Sequence, residues 1–311
     1  MSFTGKEYVL DVGKGSVATL TLFLAFVSLP MVGMLPGAFS PLPAIFYTLK
    51  SGRLTGIAIV SVTTAVLAVM GDVASTALYL LQSGSLALLL SFFLSAGKGA
   101  GRSLAYAVAI NLMLVVAFAA GYGALRGLDL DLQVQKGVQA SIAQTASFYE
   151  KAGVKGEELQ TLRQGMAQAG DVIGKVYPAL LIISVAVIAG MNMLVLSRFS
   201  SRLNDLRGIG PFREFRNPEP LVWVLIGSGF ALLLDNPLVD RIALNLLIVI
   251  LFMYFLQGLA ITSHLFHRFR VSLFLRVIFY LLLTVQPYFA VGVAVVGIFD
   301  IWGNFRTPKT T

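Results

Sequence analysis

Across 311 residues the chain is 57% hydrophobic and only 12% charged, against roughly 25% charged residues in soluble domains, and its mean hydropathy is +0.83. This is the composition of an integral membrane protein; with no cysteine and only His264 and His267 as imidazoles, it excludes disulfides, thiolate nucleophiles, iron–sulfur clusters and Cys-type zinc sites. The formal charge of +8, from 23 Lys and Arg against 15 Asp and Glu, points to basic loops facing anionic lipid and not to nucleic acid.

A helix needs about 20 residues to cross ~30 Å of hydrocarbon. The first apolar window, residues 17–35, is expected to kink at Pro30, and it lacks an A-x-A-like cleavage site, so no cleaved signal peptide is expected. Residues 36–50 are apolar but carry Pro36, Pro41 and Pro43, so they either cross or re-enter. Residues 55–70 form a short span, and 73–96 and 104–123 form clear ones. Between them Asp72 follows Gly71 in a tight turn, where its carboxylate suits a helix cap.

Residues 123–175 differ, with six basic and six acidic residues and a Gly-punctuated break at Gly153 and Gly156. Val134, Val138, Ile142 and Phe148 before the break, and Leu159, Leu162, Met166, Val172 and Ile173 after it, recur at helical spacing. The segment reads as an amphipathic helical hairpin, either a spacer between two membrane halves or a partner-binding module. Residues 176–196 then cross. Residues 221–234 follow Asn217, expected to cap a helix whose first turn holds Pro218, Glu219 and Pro220. Residues 242–262 and 271–298 close the series.

The predicted fold is therefore all-α: a polytopic transmembrane helical bundle of eight or nine spans with an extracytoplasmic helical hairpin, in segments 1–122, 123–175 and 176–311. Segments 50–53, 98–102, 198–216 and 268–276 hold twelve Lys and Arg, against three at 241 and 306–309. The first set faces the cytoplasm, which puts the hairpin and the carboxyl terminus outside. Nine spans keep the amino terminus, with Lys6 and Lys14, inside.

Polar groups within a bilayer are costly and repay individual weighing. Asn111 and Asn192 lie inside helices, first as hydrogen-bonding glue between helices and second as ligand contacts. Asp235, Asn236, Pro237, Asp240 and Arg241 form the densest polar cluster, either a solvated turn or a cation or ligand site. Gln257 sits late in its span, while Gln286, Pro287 and Tyr288 interrupt the last one. Irregular backbone at such depth is tolerated where it is buried in protein or lines a cavity, so Gln257, Gln286 and Tyr288 are pocket-lining candidates. His264 and His267 share a helical face without a nearby acid, which favours an interfacial role over metal binding. The segment around Arg213, Phe215 and Arg216 suits the headgroup zone, with aromatics among the lipids and arginines on phosphates; partner docking is the alternative.

At the carboxyl end, the run from Gly297 through Asp300, Ile301, Trp302, Gly303, Asn304 and Phe305 to Arg306 resembles the closing motif of the YybS-like family, bacterial membrane proteins of unknown function. Phe212-Arg213-Glu214-Phe215-Arg216-Asn217-Pro218 before Val222-Trp223 is similar to that family's aromatic-Arg-x-Pro lead into a helix. Gln257-Gly258-Leu259-Ala260, and Pro41-Leu42-Pro43 ahead of Lys50-Ser51-Gly52-Arg53, fit as further landmarks. Gly303-Asn304 departs from the aromatic-acid pair commoner there. The resemblance implies a bacterial inner-membrane protein, distantly similar in its first helices to substrate-binding components of energy-coupling-factor vitamin transporters, and hence a small-ligand cavity and a helical partner. The Ala-x-x-x-Ala surface of those components is not evident between Gly15 and Leu35.

Two functions are expected. In the first the chain binds or transports a small molecule in a cavity lined by Asn111, Asn192, Gln257 and Gln286. In the second it is a non-transporting scaffold or regulator whose hairpin and basic loops recruit a membrane or cytoplasmic protein. No nucleophile–base pair, metal site or cofactor site is legible, so an enzyme is not expected. The transport reading requires Gln257 and Gln286 to share a cavity; the scaffold reading requires them to pair internally and the hairpin to expose apolar surface.

Overall fold

A computed structural model describes residues 5–29, 32–71, 73–199, 211–303 and 305–306. Pro30, Asp72, Arg207 and Asn304, singled out above or lying in the stretches weighed there, fall outside these residues. The described residues are helical, without strands: α1 Gly5–Ser28, α2 Met34–Ala38, α3 Leu42–Ser51, α4 Arg53–Met70, α5 Val73–Tyr79, α6 Ser85–Ser95, α7 Ala100–Arg126, α8 Leu130–Lys151, α9 Glu157–Arg198, α10 Leu221–Ala231, α11 Pro237–Arg268, α12 Leu273–Val285 and α13 Pro287–Gly303. Two compact units divide the chain inside α7 and α9: Met1–Phe118 with Ser184–Gly210, and Ala119–Ile183 with Pro211–Thr311.

Among the described residues, six helical segments are long and apolar enough to cross a membrane, and a pair bent by 109°, α12 with α13, raises the number to seven. This is short of the eight or nine expected, for two local reasons. Residues 36–50 do not form one helix, because their prolines break them into α2 and α3. The helix expected over 221–234 is only 11 residues long, about 16 Å at 1.5 Å per residue.

In the first unit, lipid on the outside removes most of the gain from apolar burial, so close packing and hydrogen bonds between helices hold the fold. Phe23, Ile45, Ile59, Tyr79, Leu86, Leu90 and Leu196 form the buried core. Lys50, at the end of α3, places Nζ 2.9 Å from both carboxylate oxygens of Asp11 on α1, and Ser51 donates to the same group at 2.5 Å. Gly33 packs against the Ala25 and Leu29 carbonyls near the other end of α1. The broken segment α2–α3 therefore runs back along most of the length of α1. Between α5 and α6, Leu80–Gly84 widens into a π-turn, and Ser83 shares a 2.5 Å hydrogen bond with Ser40.

In the second unit, α11 and α13 run antiparallel with backbones in direct contact. A side chain at Gly258 would overlap the Val293 carbonyl, and one at Gly297 would overlap the Tyr254 carbonyl, so glycine is what allows this approach. The first arm of the hairpin is α8, with Asp129 capping it through a 3.1 Å bond from the Leu132 N–H. Gly153 and Gly156 turn the chain at φ +100° and +66°, which L side chains rarely adopt, and the first half of α9 returns as the second arm.

Candidate functional site

The hairpin arms meet where Val138 and Ile142 close on Gly170. On one side of that contact lies an open groove of about 780 Å³, with Val138, Ile142, Ala143 and Ala146 as its apolar part and Gln139, Arg163, Asp171 and Lys175 at its rim. A second groove of about 560 Å³ runs along the other side. Leu132, Phe148, Tyr149 and Val172 are exposed on the same hairpin. Two helices alone cannot enclose such a face.

The base of the hairpin is clamped by the first turns of α11. Arg241 grips Asp131 of α8 through two bonds of 3.0 and 2.6 Å, and Tyr177 of α9 donates to the same carboxylate at 2.7 Å. The Arg241 bonds first, then the Tyr177 bond, hold the Asp131 carboxyl down to about 2. The guanidinium also lies 5.6 Å from the centre of the Tyr177 ring. One turn on, Asn245 meets α9 at Pro178, which has no N–H and whose ring crowds the carbonyl four residues back. Its Oδ1 accepts from the Ala179 N–H at 2.8 Å and its Nδ2 donates to the Lys175 carbonyl at 2.9 Å. The amide thus bridges the two ends of the rung that joins Lys175 to Ala179 in an unbroken helix.

A second constellation centres on Asp300, fully buried at the end of α13. Its Oδ2 accepts from Gln257 at 3.0 Å and from Arg306 at 3.2 Å, its Oδ1 accepts from the Phe305 N–H at 3.2 Å, and Arg216 lies 3.9 Å away. Gln257 in turn accepts from the Asn217 N–H at 3.0 Å, Asn217 donates to the Met253 carbonyl at 2.8 Å, and Arg306 donates to the Arg213 carbonyl at 3.3 Å. Asn217 is therefore bound to α11 and does not cap α10, which begins after Pro220.

The structure joins some of the residues weighed in the sequence and separates others. Gln257, Asp300, Arg306, Arg213 and Arg216 come together in one cluster, with Phe215 beside it, its ring stacked 6.2 Å from that of Phe212. Trp302 points outward and is exposed. Gln286 ends α12 in the exposed bend before Pro287, and Tyr288 is 84% exposed. Gln257 and Gln286 share no cavity, because the bend carries Gln286 outward while Gln257 is committed to Asp300. Asp235, at φ +45°, and Asn236 form a capping turn in which Asn236 Oδ1 accepts from the Leu238 and Val239 N–H groups. Arg241 is engaged rather than simply solvated. No cluster of three metal-ligating side chains occurs among the described residues.

Asn111 donates to the Leu81 carbonyl at 2.9 Å and to Ser85 Oγ at 2.7 Å, which ties α7 to the π-turn. Asn192 donates to the Ala38 and Ile188 carbonyls, each at 2.7 Å. Both act as links between helices, and the buried Oδ1 of each has no partner among the described residues. One pair of placements by charge counting also needs correction. Arg306 touches the Arg213 backbone, so the two cannot lie on opposite sides of a membrane as the charge count had placed them.

Sequence reasoning missed Asp131, Tyr177 and Asn245. Pro178 inside an apolar run and Asn245 one turn after Arg241 were the available signals.

The chain is 22% identical to the uncharacterized protein YybS of Bacillus subtilis (strain 168) over 296 residues, which cover 93% of each chain. No solved structure matches. The model of the family described as Predicted membrane protein (DUF2232) matches residues 17–301, a stretch that takes in the whole hairpin, its clamp and Asp300. The chain belongs to that family of multi-pass membrane proteins.

Proposed function

We propose that this protein is a non-enzymatic scaffold of the bacterial inner membrane that receives a protein partner on its extracytoplasmic hairpin. The observation that carries this reading is the open groove between the two arms, held at its base by Arg241 and Asn245 and left uncovered along its length. The internal amides that a transport cavity would use support it too. Gln257 is spent on Asp300 and Asn217, and Gln286 is at the surface. One observation favours the small-molecule reading: the unpartnered buried oxygens of Asn111 and Asn192, which a ligand donor would satisfy.

Native mass spectrometry of the protein extracted gently from its own membrane separates the two. The docking reading expects a second polypeptide in the complex, lost when Ala143→Arg and Ala167→Arg fill the groove. A stoichiometric small molecule retained by that double variant, with no polypeptide, would overturn it.

A further inference from the structure

We infer that the occupant of the hairpin groove is the hairpin of a second copy of this chain, the two forming a four-helix bundle about a twofold axis along the membrane normal. This rests on the docking reading and names its partner. Two copies in one membrane stand at the same depth, so such an axis sets α8 of one copy against α9 of the other at matching height.

The charges are arranged for that pairing. Val138 and Ile142 straddle Gly170, which puts Lys136 within about one turn, ~5 Å, of the height of Asp171. Asp171 lines the groove, and helical periodicity places Lys136 on the same flank of α8 as Ala143 and Ser147, which also line it. Among the described residues neither Lys136 nor Asp171 makes a salt bridge. Within one hairpin they flank the groove from opposite arms; across the twofold axis Lys136 of each copy meets Asp171 of the other. Nearer the tip, Arg163 of α9 already pairs with Glu150 of α8 at 3.1 Å, so the same α8–α9 complementarity repeats along the arms. The six basic and six acidic residues between 123 and 175 cancel, leaving no net field to favour a strongly charged partner. The apolar groove faces then cover one another.

The absence of cysteine from the chain makes the test direct, since a single introduced thiol can join two polypeptides only by pairing with a thiol on another chain. In native membranes under mild oxidation, Gln139→Cys, in the groove, should give a disulfide dimer, whereas Gln144→Cys, on the opposite face of α8, should not. Lys136→Glu should lower the dimer yield roughly fivefold, the scale of losing two exposed ion pairs, and adding Asp171→Lys should restore it. A photoreactive residue at Gln139 distinguishes the failures. Equal dimers from both cysteines, or capture of a different polypeptide without self-crosslinks, refutes the second copy and leaves the docking reading standing. No capture at all refutes both.

Discussion

Replacing Asp300 by Ala is the perturbation whose cost follows most directly from the structure. The carboxylate accepts bonds from Gln257, Arg306 and the Phe305 N–H, and Arg216 lies 3.9 Å off. Arg216 has 48% of its side chain exposed, so solvent screens its share to nearly nothing. Arg306 is only 15% exposed, and deleting Asp300 leaves its guanidinium buried without a counter-charge. Breaking such a pair from one side costs about 3–5 kcal/mol. Arg306→Ala should cost a comparable amount, about 3–5 kcal/mol, because it leaves the fully buried Asp300 carboxylate without its buried counter-charge. Asp300→Asn, equal in volume and still an acceptor, should cost less than Asp300→Ala. Unfolding in mixed micelles of increasing SDS content, followed by the fluorescence of Trp223 and Trp302, reads all three, and the double variant gives the coupling. If Asp300→Ala stays within 1 kcal/mol of the parent, or costs no more than Arg216→Ala, the cluster is not holding α10, α11 and α13 together.

Two further outcomes follow from the hairpin clamp. Asn245→Ala removes the amide bridging Lys175 and Ala179 and should cost about 1–2 kcal/mol, with faster proteolysis at the base of the hairpin; unchanged proteolysis would show that Pro178 needs no bridge. Asp131 has a folded pKa of about 2, below the ordinary 3.8, so its contribution to hairpin docking is complete above about pH 4 and fades as the pH falls toward 2. Limited acid proteolysis should therefore loosen the hairpin over that window in the parent, while Asp131→Asn should be loose at neutral pH and insensitive to acid there. Equal acid sensitivity in both would remove Asp131 from the clamp.

The helical periodicity and hydropathy of the sequence were enough for the all-α membrane fold and for the hairpin with its turn at Gly153 and Gly156, since both depend on local patterns. What escaped depends on contacts between distant segments. Gln257, Asp300 and the arginines at 213, 216 and 306 were singled out by separate arguments, one for a cavity, one for a family motif and one for lipid, and nothing in their spacing showed that they meet. Asn245 went unnoticed because the groups it bridges, the Ala179 N–H and the Lys175 carbonyl, lie 66 and 70 residues away in the chain. Arg306 and Arg213 were set on opposite sides because charge counting assumes that each apolar run crosses in one straight piece, whereas α12 and α13 are bent by 109° and the two arginines meet.

The position of Asp300 in the chain has a consequence for biogenesis. Gln257 and Asn217 are synthesised and inserted well before Asp300, and Arg306 comes later still. Until Asp300 has been made, Gln257 and the arginines before α10 lack the carboxylate that gathers them. The second unit therefore cannot close before Asp300 and Arg306 have been added to α11 and its partners. Chains cut short before Asp300 keep the helices up to α12 but leave the Gln257 Nε2 group without its acceptor.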